Sequence, residues 1–121
     1  MKVRHDQPEN YLMKYNVLTI PSFDRQLKRL AKKYHSLKAE YVALIEDLEE
    51  NPQKGTYLGN NCYKIRLALA SKGRGKSGGA RIITYFYVEE GSVFLLTIYD
   101  KSKQTDISDK ELRTLLLEIE P

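Results

Sequence analysis

Apolar and polar positions along the chain change period several times, and each change marks an element. Residues 1–13 are polar and aperiodic, with a proline at 8, which predicts a flexible N-terminal extension ahead of a domain spanning 14–121. Tyr15 to Ile20 (YNVLTI) is a short β-rich run closed by Pro21 and predicts the first strand. Phe23, Leu27, Leu30, Ala31 and Tyr34 then recur at helical spacing, with Ser22 as the expected N-cap and Asp24 in the first turn. A second helical stripe, Tyr41, Leu44, Ile45 and Leu48, begins near Leu37 and stops at Asn51-Pro52, because the residue before proline is pushed out of helical geometry. Gly55 and Gly59-Asn60 mark a turn region.

From Cys62 the period becomes two. Cys62, Lys64, Arg66 and Ala68 fall on one face of a strand, Tyr63, Ile65 and Leu67 on the other. A loop rich in Gly, Lys and Arg leads into a second strand over Ala80 to Val88, and Glu90-Gly91-Ser92 connects it tightly to a third, Val93 to Tyr99. So short a link makes these two strands antiparallel neighbours. After the polar run DKSKQTD, Ser108 and Glu111 have capping-box spacing, and Leu112, Leu115, Leu116 and Ile119 follow at helical intervals. The expected order is β-α-α-β-β-β-α: an α+β domain, a mostly antiparallel sheet with a helical pair on one face.

Composition narrows the setting. At 121 residues, 41% hydrophobic and 30% charged, the chain suits one folded domain. Its single cysteine, Cys62, forms no internal disulfide, which points to a reducing, cytoplasmic setting and a structural thiol. No apolar window reaches the length of a membrane span, and MKVRHDQPENYLM lacks the apolar core of a signal peptide.

Charge changes the picture more. Residues 62–81 hold six of the twenty basic residues and no acid, a concentration that implies a polyanionic partner. Lys64 and Arg66 on one strand face repel each other unless an anion lies between them. Arg81 opens the next strand, where its fork of donors suits a phosphate. Tyr99 and Lys101, with matching parity on the last strand, could reach the same patch if register allows. Lys72, Arg74 and Lys76 ride on a glycine-rich backbone able to approach a nucleic-acid chain.

Other chemistries fail on context. Gly73-x-Gly75-x-x-Gly78 matches a dinucleotide fingerprint by letter, but a strand follows where a helix is required, and a phosphate-binding P-loop lacks its first glycine at Ala70. His5 and His35 stand apart, and Asp100, Asp106 and Asp109 have no His or Cys at ligand spacing, so no metal and no cofactor is expected. A site of Lys, Arg and Tyr without metal fits RNA cleavage by attack of the 2′-OH on the adjacent phosphate. Arginine stabilises the developing charge there, and Lys or Tyr moves protons.

YKIR at 63–66, the KGxGKxGGxR-like loop, SGGARII and LLTIYDKS, in this order, resemble the RelE/HigB family of toxins from bacterial toxin–antitoxin pairs, the HigB branch most closely. The resemblance runs from about Tyr15 to Ile119. It implies the small RelE-like α+β fold and a ribosome-dependent mRNA endonuclease, with mRNA, the ribosome and a cognate antitoxin, a helix-turn-helix protein, as partners. It implies that of Lys64 and Arg66, the paired basic residues, one is the base and the other the phosphate ligand, and that Arg81 is the transition-state-stabilising arginine. Relatives carry an Arg and a late Tyr after the last strand, where this chain has Ser102 and Ile107-Ser108, so Tyr99 or Lys101 stands in as general acid. Two other readings share the fold: a ParE-like inhibitor of DNA gyrase, which needs no phosphate-cleaving patch, and an inactive RNA-binding relative.

Overall fold

A computed structural model describes residues 14–73 and 78–119. The expected N-terminal extension lies outside these residues. The elements are β1 (Asn16–Thr19), α1 (Pro21–Lys33), α2 (Leu37–Glu50), β2 (Thr56–Gly59), β3 (Cys62–Leu67), β4 (Ala80–Tyr87), β5 (Ser92–Asp100) and α3 (Asp109–Leu116). The sheet order is β1-β5-β4-β3-β2; β1 runs parallel to β5 and the other neighbours are antiparallel. The α+β architecture is thus the expected one, with one strand more.

That extra strand sits in the expected turn region. β2 is four residues long and nearly all exposed, which hides it from any alternation count. It pairs with β3 through the two-residue loop Asn60-Asn61, both with positive φ (53° and 62°), the left-handed backbone that asparagine tolerates and that matches strand twist in a tight hairpin.

Helix ends follow local chemistry. Pro21 takes the first helical position, where its fixed φ suits the helix and its missing N–H costs nothing, so the N-cap falls on Ile20 and not on Ser22. The backbone N–H and hydroxyl of Ser22 instead donate to the Glu118 carboxylate, and these bonds, from the hydroxyl first, hold that carboxyl below its ordinary range. α2 ends at Asn51 before Pro52 as expected. Ser108 caps α3, its hydroxyl accepting from the Glu111 N–H at 3.1 Å.

The core lies between the helical pair and one face of the sheet. Phe23, Leu37 and Leu48 are fully enclosed, as are Ile65, Ile82 and Ile98, which the register aligns across β3, β4 and β5. On the same face, Asp100 closes β5. Its carboxylate accepts from the Tyr34 hydroxyl at 2.6 Å, from the Lys72 ammonium, and from the Ser102 hydroxyl and N–H. Burial works against the charge on Asp100, but these bonds win and hold the carboxyl far below the usual carboxylate range.

A depressed carboxyl pKa contributes stability above the unfolded value, 3.8, and that contribution fades as pH falls below it. Chemical denaturation should therefore show a loss of stability below about pH 4 that Asp100→Asn flattens. With side chains only 3% and 11% exposed, breaking the Asp100–Lys72 pair leaves a buried cation alone, so this variant is expected to lose about 3–5 kcal/mol at neutral pH. Equal acid sensitivity in both proteins would contradict it.

Gly79 gives a second check. A Cβ there would collide with the Leu67 carbonyl of the neighbouring strand. Gly79→Ala is expected to cost about 1–3 kcal/mol by thermal denaturation; an unchanged melting temperature would show that the strands separate there freely.

Candidate active site

Strand pairing decides which side chains meet. Arg66 on β3 lies directly opposite Arg81 on β4, and Arg81 lies directly opposite Tyr99 on β5. Directly opposed residues point to the same face, and adjacent strands are about 4.8 Å apart, so the three form a row roughly 10 Å long. Lys64, two residues along β3, joins this face one row further on, opposite Ile83. The convergence that alternation alone left open is therefore present.

Two arginines directly opposed on neighbouring strands repel each other. Nearby, Lys64 reaches Asp106 at 3.6 Å, with the Asp106 side chain 64% exposed. Arg66 is exposed, whereas Arg81 is 4% exposed and donates from one guanidinium nitrogen to the Ala80 carbonyl at 3.2 Å. Of this pair, one cation reaches outward and the other is held beneath it.

Tyr99 completes the row. Its ring is 6% exposed, and its hydroxyl is buried without a hydrogen-bond partner among the described residues. Burial pushes the phenol above its ordinary value, Asp106 and Glu111 push the same way, and Arg81 opposes them. The group thus remains a protonated donor with no acceptor among the described residues. Asp106, in the segment after β5, also meets Lys64 of this face at 3.6 Å. Ile83, on this face opposite Lys64, is fully buried.

The other expected residues fall into three groups. Lys101 lies just past β5 in the turn, half-buried, its backbone N–H bonded to the Gly79 carbonyl at 3.0 Å. Lys72, expected to face RNA, instead turns inward to Asp100 and sits 5.7 Å from the centroid of the Tyr34 ring. The reason is that Ala70–Lys72 form a short 3-10 turn that directs the side chain under the sheet end, so Lys72 anchors the base of the loop. Arg74 and Lys76 lie outside the described residues. Cys62 is enclosed and burial lifts its thiol to about 11, which agrees with a structural role.

Sequence reasoning missed Asp106 and the Tyr34–Asp100–Lys72 cluster. Nothing local signals either: the cluster joins positions 66 and 28 residues apart. Among the described residues no group of His, Cys, Asp and Glu could hold a metal ion, and no helix is long and apolar enough to cross a membrane.

The fold has close counterparts among solved structures. A mutant of the Escherichia coli toxin RelE in the free state superposes with a TM-score of 0.56 at 16% identity, covering 88% of this chain and 94% of that one. The toxin–antitoxin complex RelBE2 from Mycobacterium tuberculosis contains a chain matching at 0.50 and 17%, with 72% and 98% covered. These likenesses establish the fold. Residues 23–117, from the start of α1 through α3 and including the whole Arg66–Arg81–Tyr99 row, match the family described as the RelE toxin of the RelE/RelB toxin–antitoxin system, and the chain belongs to that family.

Proposed function

We propose that this RelE-family toxin is a metal-independent endoribonuclease that cuts mRNA on the ribosome and is neutralised by a cognate antitoxin. The observation that carries the reading is the Arg66–Arg81–Tyr99 row across three strands. Family membership supports the toxin role and the antitoxin partner, and the M. tuberculosis neighbour is itself part of a toxin–antitoxin complex. A cytoplasmic location follows from the mRNA substrate.

The chemistry follows from what each side chain supplies. A scissile phosphate lies over Arg66 and Arg81. The 2′-hydroxyl oxygen attacks phosphorus, forming the 2′-O–P bond and breaking the P–O5′ bond, while the guanidinium groups stabilise charge building on the non-bridging oxygens. Lys64 is the partner of the 64/66 pair able to exchange a proton, since a guanidinium stays charged, so it serves as base and Arg66 as phosphate ligand. Tyr99, protonated and unpartnered, gives its proton to the departing 5′ oxygen. Because Arg81 and Tyr99 are covered, the phosphate reaches them once the loop 101–108 lifts and the Lys64–Asp106 contact parts.

Tyr99→Phe separates catalysis from packing. Removing an unpaired buried hydroxyl should leave the melting temperature unchanged or slightly raised, while cleavage on translating ribosomes falls by about 10²–10⁴. Full activity in Tyr99→Phe would take the general-acid role from this residue. Arg81→Ala and Arg81→Lys should both abolish growth arrest on induction, the second with the charge and most of the volume kept. Arrest that survives in a folded Arg81 variant would remove the cleavage reading.

A further inference from the structure

The exposed side of α1 carries charge that the active-site row does not use. Arg25, Lys28, Arg29, Lys32 and Lys33 recur at i, i+3, i+4, i+7 and i+8, which places all five on one stripe, opposite Phe23, Leu27 and Leu30. All five are exposed, and among the described residues none makes an ion pair. Three like-charged pairs, 25/29, 28/32 and 29/33, stand one turn apart, an arrangement that weakens a helix unless an anion lies against it.

The neighbouring helix carries the reverse. α2 holds Glu40, Glu46, Asp47, Glu49 and Glu50 against Lys38 alone, while α1 holds its five cations against Asp24. Charge kept for solubility alone mixes signs over a surface. Here the signs are segregated helix by helix, which gives the molecule an orienting field toward a polyanion. One flank of the stripe borders a cleft of about 300 Å³, lined by Arg29 and Lys33 of α1, Lys103 of the turn after β5, and Tyr99 and Asp100 of β5.

We propose that the exposed stripe of α1, extended by Lys103, is a second docking surface that seats on the phosphate backbone of a double-helical segment of a folded RNA. This deepens the RNA reading above and rests on it for the identity of the polyanion. At 1.5 Å per residue the stripe is roughly 12 Å long, enough to meet several successive phosphates. It exposes no aromatic side chain for stacking on bases, so it holds backbone without reading sequence. An acidic protein segment would match the charge but would need apolar anchors at the centre of its interface, and the stripe has none. α1 is fastened to the catalytic strand: the Gln26 side-chain oxygen accepts from the Thr97 hydroxyl at 2.7 Å and from the Ile98 N–H at 3.2 Å. Docking α1 therefore fixes where Tyr99, the next residue along β5, is presented.

The test compares the full wild-type chain with K28Q/R29Q/K32Q/K33Q, in which glutamine keeps helix propensity and removes charge; circular dichroism verifies that the helix persists. Each is titrated into a fluorescent RNA hairpin between about 50 and 200 mM salt. The variant should bind about tenfold or more weakly, with a slope of log K against log salt shallower by about 3. Unchanged affinity and slope in the α1 variant would overturn the docking surface and leave the cleavage reading standing. Tighter wild-type binding to polyglutamate than to the hairpin would also overturn it, as it would assign the stripe to an acidic protein. Growth arrest surviving Arg81→Ala would remove cleavage while leaving hairpin binding, and so the docking surface, in place.

Discussion

The register between β3, β4 and β5 is the constraint on which everything else rests. On the covered face it stacks Ile65, Ile82 and Ile98 in one cross-strand row, and one residue further along it opposes Arg66, Arg81 and Tyr99 on the other face. Because side chains alternate with period two, a slip of a single residue would exchange the two sets. The three isoleucines are at most 2% exposed, and burying each is worth about 1.5–3 kcal/mol, so the core enforces the pairing that brings the arginines together. The Arg66–Arg81–Tyr99 row is thus held by hydrophobic burial on the opposite side of the same strands.

Local geometry reinforces that pairing at both ends. The Asn60-Asn61 turn sets β2 against β3, with a bulge between Tyr57 and Gly59. At the other end Gly79 lets the start of β4 come close beside Leu67, just before Arg81, and accepts from the Lys101 N–H. One residue after Tyr99, Asp100 turns to the helical face and gathers Lys72, Tyr34 and Ser102. Successive residues of β5 therefore serve opposite purposes. The Tyr99 hydroxyl has no hydrogen-bond partner among the described residues, whereas the Asp100 carboxylate accepts four hydrogen bonds.

Much of this was legible in the sequence, for reasons that particular residues make plain. Phe23, Leu44 and Leu48 announced their helices because packing against a sheet demands a stripe at helical spacing, and the alternation from Cys62 to Leu67 sorted Lys64 and Arg66 onto one face. β2 was not legible, because four mostly exposed residues with a glycine carry no burial signal. Ser22 was misread as a cap because Pro21 and the distant Glu118 together decide that helix start. Lys72 looked like a surface cation because its partner Asp100 is 28 residues away, and composition cannot reveal that a loop bends its lysine inward. The site followed the same rule: the residue types were visible, but their meeting needed the register.

The central claim is that Arg66, Arg81, Lys64 and Tyr99 cut RNA by using its own 2′-hydroxyl. The chemical nature of the new ends tests this most directly. Purified protein added to translating ribosomes should generate fragments with 5′-hydroxyl ends and matching 2′,3′-cyclic phosphates within the reading frame, with no added metal required for cleavage. New ends bearing 5′-phosphate, or no new ends while translation stops, would contradict it.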